Sequence, residues 1–180
     1  MNTHIFNISN ILSASRIILT IPVAFCLLTE FPGNRIWAAV FCIIAAATDF
    51  FDGYLARYYH TVTEIGKFVD PVADKIAIGT IVIILTYIND LPLWYTILII
   101  LRDGLILIGS IYIHSRKKII TQSNWPGKIA VNLIALVVLL AILRIHEFQF
   151  WFSMFLWLSV GMMILSFIIY LKRLFIGFKV

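Results

Sequence analysis

Six apolar stretches run through this chain, at residues 11–28, 36–58, 69–88, 93–113, 129–143 and 150–171. A helix rises about 1.5 Å per residue, so roughly 20 residues cross a hydrocarbon core about 30 Å thick. The fifth stretch is the shortest and crosses upright or with help from its flanks. None alternates polar and apolar residues as a barrel strand would, and backbone groups in lipid need internal partners, so helices are predicted. The expected fold class is all-α: an integral membrane bundle of six transmembrane helices in one domain covering residues 1–180.

The rest of the composition agrees. Apolar residues make up 62% of the chain and charged residues only 13%. Soluble domains carry about twice that charge. A chain this apolar excludes nucleic acid as a natural partner, and its net charge of +5 suits an anionic lipid surface instead. Cys26 and Cys42 lie in apolar runs and read as separate small residues rather than a disulfide. Residues 1–10 lack a basic n-region, so no cleaved leader is expected. Residues 2–10 read either as a short interfacial helix or as a frayed end.

Breaks between the stretches are short. Glu30-Phe31-Pro32-Gly33-Asn34 and Asn89-Asp90-Leu91-Pro92 carry turn chemistry. Six spans put both termini on one side of the membrane. That side holds Arg57, Lys67, Arg116, Lys117, Lys118, Lys128, Lys172, Arg173 and Lys179, while the other holds Arg35 and Arg144. The excess of positive charge marks the first side as cytoplasmic, in the cell (inner) membrane. Trp94, Tyr95, Trp125 and Trp151 read as an interfacial aromatic belt. His4, His60, His114 and His146 are scattered without metal-ligand spacing.

Charge inside a span is costly and points to function. The second stretch ends with Asp49-Phe50-Phe51-Asp52-Gly53-Tyr54-Leu55-Ala56-Arg57. The third opens with Gly66-Lys67-Phe68-Val69-Asp70-Pro71-Val72-Ala73-Asp74-Lys75. On helices, Asp49 and Asp52 share one face, as do Asp70 and Asp74. The short link between the spans predicts antiparallel neighbours, with both pairs at the same cytoplasmic depth. Four carboxylates in low dielectric need cations, and hard divalent ions suit all-oxygen ligation. Two ions would balance them and suit displacement at phosphorus. The alternative is that Arg57, Lys67 and Lys75 pair with the aspartates as solvated helix-end charges. A small divalent-cation transporter is a second functional class, but the acidic cluster lies near one face and no inverted repeat is present.

The spacing adds a sharper signal. Asp-x-x-Asp-Gly-x-x-Ala-Arg, eight residues, then Gly-x-x-x-Asp-x-x-x-Asp resembles the signature of the CDP-alcohol phosphotransferases. Here it is Asp49, Asp52, Gly53, Ala56, Arg57, Gly66, Asp70 and Asp74, with every spacing met. The resemblance implies a six-span enzyme that transfers a phosphatidyl or phospho-alcohol group from a CDP-linked donor to an alcohol and releases CMP. It implies that Asp49, Asp52 and Asp70 bind Mg²⁺ or Mn²⁺, two ions per site. Asp74 completes that metal site and acts as catalytic base. It places the donor against Gly53, Ala56, Arg57 and Thr63. The run Ser9-Asn10-Ile11-Leu12-Ser13-Ala14-Ser15-Arg16 resembles the family's entry to span one, with Ser9 for Pro and Ser13 for Thr. Asn10 is carried over as a donor contact or stands as an N-cap. A homodimer is implied by the family alone.

Around Asp70 and Asp74 the sequence looks most like the phosphatidylglycerophosphate synthases, which use CDP-diacylglycerol and glycerol 3-phosphate. CDP-dependent cardiolipin synthases, which use phosphatidylglycerol, share much of it. An acceptor phosphate needs a cationic pocket, and Arg102, Arg116 and Lys128 could form one. Otherwise Arg102 pairs with Asp70 or Asp103, and Arg116 to Lys118 serve as membrane-surface anchors. Arg102-Asp103 departs from the synthases' usual Arg-Glu and resembles the cardiolipin synthase pattern.

Overall fold

A computed structural model describes the backbone of residues 8–58, 66–117 and 125–176, and the side chains of residues 18–48, 74–109 and 125–172. The described residues form six α-helices and no strand: α1 Ile8–Leu28, α2 Asn34–Tyr58, α3 Gly66–Tyr87, α4 Leu93–Lys117, α5 Trp125–Leu143 and α6 Gln149–Ile176. A single 3₁₀ turn, His146–Phe148, precedes α6. Each helix contains nearly all of one apolar stretch read from the sequence. α4 and α6 run several residues past the apolar limit at their C-terminal ends, because Arg116 and Lys172 are good helix formers that do not end a helix. Of the expected interfacial helix, Ile8–Asn10 belong to α1 and residues 2–7 lie outside the described part.

The helices fall into two compact units, α1–α3 and α4–α6. In the first, α1 packs along both α2 and α3. Val23, Cys26 and Leu27 of α1, Ala38 and Ala39 of α2, and Val82 and Leu85 of α3 supply its buried residues. The alanines let the backbones approach closely, which matters where lipid offers no hydrophobic drive between helices. α2 and α3 are antiparallel, and each packs on α1.

Both turns of this unit are specified locally. Phe31-Pro32-Gly33-Asn34 closes with Asn34 N–H donating to the Phe31 carbonyl at 3.1 Å. Gly33 sits at φ 78°, the left-handed position that a type II turn demands after proline. Asn34 Nδ2 then donates to the Thr29 carbonyl at 2.8 Å and ties the start of α2 to the end of α1. α3 ends in a Schellman motif: Asn89 adopts φ 60° and donates to Thr86 O at 3.1 Å, and Asp90 N–H donates to Leu85 O at 2.8 Å. The Asp90 carboxylate, 3% exposed, receives Arg35 Nη1 from the first turn of α2 at 2.5 Å.

In the second unit, α5 and α6 pack closely, while α4 meets α6 at a few places. Ala130, Ile134, Val137 and Ala141 line the α5 side, and Leu156, Ser159, Met163 and Ser166 the α6 side, all buried. Both sets step by three and four residues, the spacing of a helix–helix seam. Tyr95 of α4 is fully buried, with its hydroxyl 2.7 Å from Ser159 Oγ. It is therefore a core residue, not part of an aromatic belt. Trp94, Trp125 and Trp151 remain exposed.

The outer faces are apolar. Ile18, Ile21 and Phe25 form an outward stripe on α1, each more than half exposed, and Trp157, Ile164 and Ile168 are exposed on α6. Apolar surface of this extent marks a lipid-facing or partner-facing exterior. α5, and α6 with its preceding turn, are long and apolar enough to cross a membrane.

Candidate active site

The motif aspartates occupy the ends of two continuous helices. Asp49 and Asp52 lie in the last turns of α2, and Asp70 and Asp74 in the first turns of α3. Because neither helix is interrupted there, the three- and four-residue spacings do place each pair on a common helix face. Gly53, Ala56 and Arg57 continue the α2 segment, and Asn10 is in the first turn of α1. The side chains of these residues, Asp74 apart, fall outside the described ones, as does all of Thr63. Among the described residues no three His, Cys, Asp or Glu side chains cluster.

Asp74 is the described member of the set. It is half-buried, and its Oδ1 is fully shielded from solvent. A carboxylate oxygen withdrawn from water is costly unless cationic charge faces it. Hard carboxylate oxygens from four aspartates on two helix ends make a donor set suited to Mg²⁺ or Mn²⁺, and Asp74 fits such a set.

The cationic residues read from the sequence belong to the second unit. Arg102 is buried, at 9% exposure, midway along α4. Its Nη1 donates to Asp103 Oδ1 at 2.6 Å, and its Nη2 donates to the Gly127 carbonyl of α5 at 3.4 Å. Of the two ion-pair partners considered for it, Asp103 is in contact, and the Asp70 side chain lies outside the described residues. Its Nε is buried and makes no hydrogen bond. The guanidinium is thus held in place by two groups while its buried Nε–H stays in reserve, a pre-organised cation rather than a mobile one.

Lys128 lies in the first turn of α5, exposed, with Nζ 5.8 Å from the centre of the Trp125 ring. That is within reach of a cation–π contact. Arg116 is in the last turn of α4, and its side chain is outside the described residues. Two features escaped the sequence reading. The Gly127 carbonyl as an Arg102 partner had no signal, because it depends on how α5 approaches α4. Trp125 as a platform for Lys128 was legible in principle, since three-residue spacing on a helix brings side chains together.

The family model for CDP-alcohol phosphatidyltransferase matches residues 6–171, through all four aspartates and all six helices. A protein of Mycobacterium tuberculosis named "Probable phosphatidylglycerophosphate synthase" is 38% identical over 129 residues, 69% of this chain and 60% of that protein. The CDP-diacylglycerol--glycerol-3-phosphate 3-phosphatidyltransferase of Bacillus subtilis is 32% identical over 149 residues, 73% of this chain and 77% of its own. The cardiolipin synthase (CMP-forming) of Streptomyces coelicolor is 31% identical over 132 residues, 70% of this chain and 60% of that protein. The chain thus spans about 60% of the length of two of these three relatives. With the motif complete on α2 and α3 and the match running almost end to end, this chain belongs to the CDP-alcohol phosphatidyltransferase family.

Proposed function

We propose that this protein transfers the phosphatidyl group of CDP-diacylglycerol to glycerol 3-phosphate and releases CMP, as a phosphatidylglycerophosphate synthase. The observation that carries this is the eight-position motif, Asp49 to Asp74, at the end of one uninterrupted helix and the start of the next. The names of the Mycobacterium tuberculosis and Bacillus subtilis relatives support the choice of acceptor. Family membership leaves the transporter reading without support.

In this reading Asp49, Asp52, Asp70 and Asp74 hold two Mg²⁺ or Mn²⁺ ions. Bound there, the ions offset the charge of the donor pyrophosphate and of the departing CMP. Gly53 and Ala56 leave room for the nucleotide, Arg57 pairs with its phosphates, and Asn10 and Thr63 add polar contacts. Asp74 accepts the proton of the acceptor hydroxyl as that oxygen bonds to the β-phosphorus. The phosphoanhydride bond breaks, and CMP leaves with its electron pair. Arg102, Arg116 and Lys128 receive the acceptor phosphate. The helices form a six-span domain in the cell (inner) membrane, with both termini and the site on the cytoplasmic side, and the protein works as a homodimer.

A second acceptor, phosphatidylglycerol, is favoured by two observations: the Streptomyces coelicolor relative's name and the Arg102-Asp103 pair. The deciding experiment measures CMP release by purified protein with CDP-diacylglycerol, Mg²⁺ or Mn²⁺, and each acceptor in turn. Glycerol 3-phosphate is expected to give the highest rate, and Asp74→Asn to abolish it. Faster release with phosphatidylglycerol would replace the first reading with the second. Undiminished release by Asp74→Asn would remove Asp74 from the base role.

A further inference from the structure

We infer that the Arg35–Asp90 ion pair, at the opposite ends of α2 and α3 from the aspartates, is a positioning device that sets the axial register of the two helices and so aligns the two carboxylate pairs. The inference rests on the reading that those aspartates hold metal.

Both helices take their height from packing on α1, and a direct link between their ends adds to it. The ion pair supplies that link. Arg35 is the second residue of α2, and Asp90 caps the C-terminal turn of α3. The distances from this pin match. Asp49 and Asp52 follow Arg35 by 14 and 17 residues, about 21 and 26 Å of helix. Asp74 and Asp70 precede Asp90 by 16 and 20 residues, about 24 and 30 Å at helical rise. The two pairs therefore stand within about 4 Å of the same height above the pin. A slip of one helix turn, about 5.4 Å, would separate them beyond the reach of shared ions.

The electrostatics argue against an incidental contact. A cation at a helix N-terminus and an anion at a helix C-terminus each oppose the helix dipole. Arg35 and Asp90 occupy those unfavourable places, and Asp90 is almost fully buried, at 3% exposure against 27% for Arg35. The helices considered singly would prefer the reverse charges. What the present arrangement provides is the link between them.

The test is Mn²⁺ binding to the purified protein, read from the electron paramagnetic resonance signal of free Mn²⁺, which needs no turnover. Arg35→Ala and Asp90→Ala are expected to weaken binding about tenfold, the order seen when groups that orient metal ligands are lost. The charge-reversed double variant, Arg35→Asp with Asp90→Arg, restores the link and suits both dipoles, and is expected to recover most of the affinity. Ser159→Ala, which loosens the other three-helix unit, is expected to bind as the unsubstituted protein does. If the alanine variants do not fold, Arg35→Lys gives the reading through a smaller loss of the same sign. Folded single variants, or a folded Arg35→Lys, that bind Mn²⁺ with unchanged affinity would overturn the positioning role alone. No Mn²⁺ binding by the unsubstituted protein would overturn the metal reading and the positioning role together.

Discussion

The Tyr170 hydroxyl lies against Gly109, in the space that a Cβ at residue 109 would occupy. The ring carbons crowd the same point, with Cζ at 2.9 Å from that Cβ position. Tyr170 continues the three- and four-residue seam of α6 after Ser166, and at this place α6 reaches α4. Gly109 is thus a close-approach glycine rather than a turn glycine. Gly109→Ala should push Tyr170 out of its seat and cost about 1–3 kcal/mol, the range for overpacking a filled site. The buried hydroxyl makes no hydrogen bond, so Tyr170→Phe should be neutral or mildly stabilising. Thermal unfolding in detergent checks both. Tyr170→Leu in the Gly109→Ala background should recover much of the loss, and simple additivity would disprove the contact.

Tyr95 and Ser159 make a directional chain. Ser159 Oγ donates to the Leu156 carbonyl at 2.7 Å, so its single proton is spent and Tyr95 must donate to Ser159. The two deletions are therefore unequal. Tyr95→Phe leaves Ser159 still bonded to Leu156 and should cost about 1 kcal/mol. Ser159→Ala leaves a fully buried tyrosine hydroxyl without its acceptor and should cost about 1–3 kcal/mol. Equal losses in chemical or thermal unfolding would contradict the assigned direction.

The helices and the placement of the aspartates were legible because both depend on local rules. Apolar length gives the helices. Proline before glycine gives the turn at Gly33, and the motif spacing gives faces on α2 and α3. What depends on how helices meet was not legible. Tyr95 looked like a belt residue because aromatic residues near span ends usually are; its burial depends on a serine 64 residues away. That α1 packs on both α2 and α3 had no signal in the short link between them. Arg102 showed itself as a charge out of place. Whether Asp70 or Asp103 would answer it could not be read from a chain in which both lie within reach of plausible packings.

Metal dependence gives a prediction independent of the acceptor. Hard divalent ions held by carboxylates exchange with chelators, so EDTA should stop CMP release, and excess Mg²⁺ or Mn²⁺ should restore it. With two ions, restoration should rise more steeply than first order in metal at low concentration. Asp49→Asn, Asp52→Asn and Asp70→Asn should each weaken Mn²⁺ binding about tenfold or more, through loss of a charged ligand. Release that is indifferent to EDTA would count against the metal reading.

Asp103 decides how far the Arg-Asp pattern informs the choice of acceptor. Its carboxylate is committed to Arg102 Nη1 at 2.6 Å. Residue 103 therefore acts through the guanidinium, by holding it in place. Asp103→Glu keeps the charge and can keep the bond, so the ratio of CMP release with glycerol 3-phosphate to that with phosphatidylglycerol should change by less than about twofold. Asp103→Ala removes a charge-assisted bond worth about 1.5–3 kcal/mol and leaves a buried cation without its carboxylate. It should lower the unfolding midpoint and raise the KM for glycerol 3-phosphate about tenfold, with the KM for CDP-diacylglycerol unchanged. A marked shift of acceptor preference in Asp103→Glu would show instead that the carboxylate itself faces the acceptor, and that the Arg-Asp pair marks this chain as a cardiolipin synthase.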